Sequence, residues 1–209
     1  MEEKKRELLL AATSIYMRYG IKSMTMDEMA RQLGISKKTL YLYVTDKNNL
    51  VEQCVSLQQD IEQEAIQEIV EHTENAIEQM LRISKSISET LSRVHPSIFF
   101  DLARYHPSAQ KMMECHKEEY VVGCIEQNLV NGINQGLYRK NLNAKVIAGI
   151  YVRMIDIIMS GDLSNQANLK ADEIYSEVIR YHIRGCASEK GLKYLTELIK
   201  KDKSFNLGL

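Results

Sequence analysis

The chain has 209 residues, 44% of them hydrophobic and 26% charged, with only two prolines and ten glycines. Domains of about 100–200 residues are usual, so one large domain or a small one joined to a larger are both open, while disorder and long linkers are disfavoured by the composition. The net charge is −1, but residues 1–50 carry nine Lys/Arg against six Asp/Glu, leaving 18 against 22 for the remainder, a modestly basic front on an acidic body.

Apolar residues recur at helical spacing almost everywhere, and no segment alternates as a strand would, so the expected fold is all-α. The first helix is expected over Glu3–Tyr19, with Leu8, Ala12, Ile15, Tyr16 and Tyr19 on its buried face and Gly20 as a left-handed cap. Thr25-x-x-Glu28 has the form of a capping box opening a short second helix that buries Met26, Met29, Ala30 and Leu33 and stops at Gly34. Ser36 caps a third helix running through Tyr43, with Leu40 and Val44 inward at i, i+4.

Asp46 or Thr45 caps a much longer fourth helix whose stripe is Leu50, Cys54, Leu57, Ile61, Ala65 and Ile69. Further helices are expected over Asn75–Val94, Ser97–Tyr105, Ser108–Gln135, Ala144–Met159, Ala171–Ala187 and Leu192–Lys201, with Pro96 and Pro107 at helix starts. Cys54, Cys115, Cys124 and Cys186 form no CxxC pair and read as small hydrophobes rather than a disulfide framework. With no apolar run of about 18 residues and no cleavage-site pattern in Met1–Tyr16, the cytoplasm is the expected compartment and no membrane partner is expected.

Two short helices around Gly34-Ile35 have the form of a helix-turn-helix, whose second helix enters the DNA major groove. With Leu40 and Val44 spent on the core, Lys37, Lys38, Thr39, Tyr41, Leu42 and Tyr43 are left to meet DNA. Lysines attract phosphates or reach guanine, threonine and tyrosine bond phosphates or base edges, and a leucine touches a thymine methyl. Amide groups beside Thr25 and at Lys47 can receive phosphate oxygens, so Thr25, Ser36 and Lys47 join the DNA-binding set. The plain alternative is a small helical bundle whose lysines are a solvated face; taken singly, Lys37 has solvation and Tyr43 has core packing as its alternative role.

Residues 8–50 resemble the N-terminal domain of TetR-family transcriptional regulators. The resemblance is carried by Ala11-Ala12, Tyr19-Gly20, Thr25, Met29-Ala30, Leu33-Gly34-Ile35-Ser36, Thr39-Leu40-Tyr41, Tyr43, Lys47 and Leu50, which fall without a gap on the pattern TxxxIA…GVSxGTLYxYFxxKxxL. Lys38 replaces a frequent glycine and Val44 a frequent phenylalanine. Farther on, only Gly136-Leu137-Tyr138-Arg139 with Asn141 and Asn143 looks like the family's recurring connection into its eighth helix.

The resemblance implies a three-helix DNA-binding bundle over residues 1–46 and a larger helical ligand-binding and dimerisation domain over 47–209, nine to ten helices in all. It implies a homodimer joined through the last two long helices, which binds a near-palindromic double-stranded operator as a repressor and is released by a small-molecule effector. Val146, Ile147, Ile150, Tyr151, Met154, Ile157 and Ile158 cover more of a helix than one core face requires, Val178, Ile179, Ile183 and Cys186 form a second stripe, and Gly149 and Gly185 suit close helix approach.

For the implied ligand pocket, Phe99, Phe100, His116, Tyr120, Cys124, Tyr151 and Met154 offer apolar walls with polar handles, and each is equally what a core needs. His106, His116 and His182 lack HxxxH or HExxH spacing, so no metal and no cofactor are expected, and no GxSxG, Walker or dinucleotide motif points to an enzyme. The competing classes are a helical interaction module without operator binding, a redox- or metal-responsive regulator, and an all-α enzyme.

Overall fold

The computed structural model describes residues 2–160 and 169–202. Their helices are α1 (Glu2–Tyr19), α2 (Met26–Gln32), α3 (Lys37–Leu40), α4 (Lys47–Glu71), α5 (Ala76–Leu91), α6 (Ile98–Tyr105), α7 (Pro107–His116), α8 (Val122–Asn134), α9 (Ala144–Ser160), α10 (Ala171–Cys186) and α11 (Glu189–Lys201). The fold is all-α, and the one β-type pairing among the described residues is an isolated bridge between Tyr138 and Ala187. Among those residues no helix is long and apolar enough to cross a membrane.

The described residues form two compact units, one within residues 1–64 and 93–116 and the other within residues 65–92 and 117–209. In the first, Leu9, Ala12 and Tyr16 of α1 pack with Met29 and Ala30 of α2, Leu40 of α3, Leu50, Val51, Cys54 and Leu57 of α4, Leu102 of α6 and Ala109 of α7. Tyr19, expected on the buried face of α1, is exposed instead, with the Arg18 guanidinium 5.1 Å from its ring centre. The helical period marks a face, and it is the partner helices that decide where that face ends.

The second unit is built on Ile77, Met80 and Leu81 of α5, Ile125 and Leu129 of α8, Tyr151 and Val152 of α9, Ile174, Tyr175, Ile179 and Ile183 of α10, and Leu195 of α11. A buried polar network runs through it. The Asn128 amide donates to Ala76 O and Gln79 Oε1, both at 2.9 Å, and its Oδ1 accepts from Tyr138 OH at 3.1 Å. Gly132 lies against the Tyr138 ring so closely that a Cβ there would sit 2.1 Å from Cδ2. The Gly136–Arg139 segment is therefore a plug: Tyr138 fills the core and Arg139 N–H bonds Cys186 O at 2.9 Å.

Several expected helices differ, the one expected over Asn75–Val94 ending at Leu91. The single helix over Ser108–Gln135 is divided by a π-helical stretch, Lys117–Val121, which inserts a wide turn into an otherwise α-helical run. The last helix begins three residues early, because Ser188 caps it by accepting from Gly191 N–H at 3.1 Å. Gly149 and Gly185 face open space within this chain, not a neighbouring helix.

Candidate nucleic-acid interface

The two-helix element is made by its caps. Thr25, extended at φ −81°, ψ 165°, accepts from Glu28 N–H at 3.1 Å and opens α2. The reciprocal half of the expected capping box is absent, because Arg31 and Gln32 take the Glu28 carboxylate, at 2.9 Å through Nε and 3.0 Å through Nε2. At the other end Gly34, at φ +68°, donates to Arg31 O (3.1 Å) while Ile35 donates to Ala30 O (3.0 Å). That pair of bonds is a Schellman closure, which needs a residue tolerant of the left-handed region.

Ser36 then accepts from Thr39 N–H at 3.0 Å and opens α3. The helix ends at Leu40, not at Tyr43. Leu42 and Tyr43 donate three residues back, to Thr39 O and Leu40 O, and so form a tightened turn. Leu40 and Val44 are 0% and 3% exposed, as expected of the anchors, and the turn between them pushes Leu42 outward until it is 75% exposed.

Thr25, Ser36, Lys37, Lys38, Tyr41 and Leu42 all lie exposed around this element. Thr39, Tyr43 and Lys47 are half-buried. Thr39 Oγ1 lies 2.8 Å from Ser36 Oγ, and Tyr43 leans on the core of its unit. The Lys47 ammonium donates to Lys22 O at 3.3 Å, and burial draws it below the usual lysine range while Asp101 opposes the shift. At the head of α4, Asp46 Oδ1 accepts from Asn49 N–H at 2.9 Å, so a side chain already occupies one amide of that terminus.

Several interacting residues carried no sequence signal. Asp27 pairs with Lys37 at 2.8 Å. Asp101 of α6 is buried and accepts from the backbone of Ile21 and Lys22. His106, also buried, has its Nδ1 2.7 Å from Asn48 Oδ1, and burial, aided by Lys47, holds its pKa below the usual histidine value. Asp101 was unreachable from local patterns because its partners lie 79 and 80 residues away.

The residues proposed for a ligand pocket do not fall in one unit. Phe99, Phe100 and His116 belong to the first, where Phe100 is exposed and meets Tyr105 edge to face, and His116 Nδ1 lies 3.2 Å from Gln63 Nε2. Tyr120, Cys124, Tyr151 and Met154 belong to the second. There Tyr151 is buried, its OH 3.2 Å from that of Tyr175 and its ring edge-on to His182 at 4.9 Å.

Caps, Schellman turn and exposed third helix together define a DNA-binding protein of the helix-turn-helix class with a larger helical body. Residues 8–54 match the family model of bacterial regulatory proteins, tetR family. Residues 8–54 thus form a DNA-binding domain of the TetR type, as the resemblance of residues 8–50 implied.

Solved structures extend the likeness to the body. One is a transcriptional regulator from Saccharomonospora viridis in complex with choline, 14% identical, with 90% of this chain and 100% of that one covered and a TM-score of 0.72. A TetR-family regulator from Agrobacterium tumefaciens is 16% identical over 89% of this chain and 99% of its own, with a TM-score of 0.70. The fatty acid degradation regulator FadR from Bacillus halodurans is 14% identical over 86% and 94%, with a TM-score of 0.61. At such identities the likeness shows the fold. Compared with curated protein sequences, the chain has no match.

Proposed function

We propose that the chain is a repressor that binds a near-palindromic operator as a homodimer and leaves it when a small-molecule effector binds the body. The observation that carries the DNA reading is the capped α2–turn–α3 element with Lys37, Lys38, Tyr41 and Leu42 exposed beside it. In this reading two α3 helices occupy successive major grooves about 34–36 Å apart. Thr25, Ser36 and Lys47 meet phosphates, while Thr39, Tyr41, Leu42 and Tyr43 read base edges or pack against the backbone.

The dimer reading is supported by an apolar stripe on α9, where Val146, Ile150 and Ile157 are 53%, 48% and 48% exposed, and by Tyr181 on α10, 73% exposed. Solvent-exposed apolar residues at helical spacing on one face are what a helix-helix interface uses. For the effector, the support is the polar group Tyr151, Tyr175 and His182 inside an apolar core, together with a structural relative solved with choline. Tyr120, Cys124 and Met154 are the proposed walls in the same unit. An effector that favours a state with the wrong half-site separation drives release through its differential affinity.

The test is binding to a duplex selected by the wild-type chain from a random library, over a salt series, for wild type and the Lys37→Ala/Lys38→Ala double variant. Each phosphate that is no longer neutralised reduces the salt slope by about 0.9, so a weaker and shallower dependence is expected. No selected duplex, or no loss on substitution, overturns the DNA reading.

A further inference from the structure

Asp101 stands on α6, outside every segment that carries the helix-turn-helix pattern, and is 3% exposed. Its Oδ2 accepts from three donors: Ile21 N–H at 3.0 Å, Lys22 N–H at 2.9 Å and Ser97 Oγ at 3.0 Å. A carboxylate withdrawn from water is costly unless such donors replace the water. The positions of Oδ2 and of two successive backbone N–H groups are therefore fixed together.

The backbone leaves little slack at this point. Gly20 is at φ +80°, and a Cβ there would lie 2.7 Å from Ser97 Oγ and 3.3 Å from His95 Nδ1. His95 N–H donates to Met17 O at 2.7 Å near the end of α1. On its other side Lys22 offers its carbonyl to the Lys47 ammonium, and its own ammonium lies 4.9 Å above the Tyr105 ring of α6. Lys22 is thus bonded through both backbone groups, to Asp101 by N–H and to Lys47 by C=O. An ammonium has three donors, so one bond to Lys22 aims Lys47 and leaves the others for a phosphate.

We propose that Asp101 is a positioning residue for operator binding, fixing the Gly20–Lys22 turn and through it the DNA-facing Lys47 and the start of α2. This role rests on the DNA reading above. A head that stays folded but loses this support keeps its lysines, and with them its attraction for any duplex, while the fit to a particular sequence is lost.

The experiment compares wild type, Asp101→Ala, Asp101→Asn, Lys47→Ala and Asp101→Ala/Lys47→Ala on the selected duplex and on a random duplex. Asp101→Ala is expected to weaken binding to the selected duplex at least about tenfold, the scale of losing hydrogen bonds to a charged group, and binding to the random duplex less than about threefold. Asp101→Asn can place an amide oxygen where Oδ2 stands, and is expected to restore most of the difference. The double variant is expected to lose clearly less than the two single losses combined, since part of what Asp101 does passes through Lys47. Equal losses on both duplexes, full additivity, or no loss overturns the role.

Amide hydrogen exchange on the wild-type chain supplies a readout that does not depend on the variants folding. Ile21 and Lys22 lie in a turn, and are expected to exchange slowly because their N–H groups are buried on Asp101. Fast exchange there overturns the proposal. A wild-type chain that selects no duplex overturns the DNA reading and this role with it, whereas a selected duplex bound equally by Asp101→Ala overturns the role alone.

Discussion

The Lys37 ammonium lies 2.8 Å from the Asp27 carboxylate, across the turn that joins the first and second helices of the DNA-binding element. Both side chains are more than half exposed, so the pair is weak by itself. Its interest is its place: a cation proposed to meet phosphate is shared with an anion that phosphate repels.

Replacing Asp27 by Asn is expected to tighten binding to random duplex about two- to fivefold at low salt and to steepen its salt dependence. In a Lys37→Ala background the gain should shrink to what removal of a distant negative charge gives. Filter or anisotropy titrations at several salt concentrations decide it, and an equal gain in both backgrounds would show that the pair plays no part.

Asn128 joins Ala76 O, Gln79 and Tyr138 in the core of the second unit. Truncation to Ala takes the amide from Gln79 and leaves Tyr138 OH only its 3.4 Å bond to Ala76 O, at a cost of about 2–3 kcal/mol. Denaturant unfolding should show this loss, while operator binding well below the transition stays at the wild-type level.

Gly132→Ala is expected to destabilise the same unit for another reason. The added methyl would lie 2.1 Å from Tyr138 Cδ2, and overpacking of this kind costs about 1–3 kcal/mol or more. Tyr138→Leu in the same chain should recover part of the loss, and failure to recover any would count against the steric account.

Stability should fall with acidity through His182. Burial lowers its pKa to about 4, against 6.5 for the free side chain. The unfolded chain therefore takes up a proton below pH 6.5 that the folded chain refuses until about pH 4. Stability from this group is complete above 6.5 and declines between those limits by about 3 kcal/mol in total. His106, also shifted down by burial, acts in the same direction. Thermal unfolding of His182→Phe, which keeps a ring beside Tyr151, should show a shallower decline from pH 7 to 5 than wild type.

Ile150→Glu places a charge in the exposed stripe of α9. If that stripe is the dimer seam, the variant is expected to sediment as a monomer at micromolar concentration, since burying an unpaired carboxylate is strongly unfavourable. Unchanged sedimentation of a wild-type dimer would move the interface elsewhere.

What the sequence made legible was local. Thr25, Gly34 and Ser36 each bond a group three residues away, so their residue types announce the helix ends they make. The end of α3 was less legible, because Leu40 and Val44 can both reach the core through a continued helix or a tightened turn, and only the packing around them selects the turn. Asp101 was invisible: nothing in an eight-residue amphipathic helix tells that its one acid turns inward to a loop near the N-terminus. Phe99 and Phe100, in one unit, and Tyr151, in the other, are alike in chemistry, and chemistry alone does not tell which unit a side chain joins.

Leu42, at 75% exposure, is the most solvent-accessible of the chain's large apolar side chains among the described residues. The hold of lysines on phosphates fades as dissolved ions compete for them, but an apolar contact does not. If Leu42 rests against a thymine methyl, the bound complex carries a component that survives brine. The base it faces would then be the position where replacing thymine by uracil, which removes only that methyl, weakens binding by the same factor at low and at high ionic strength.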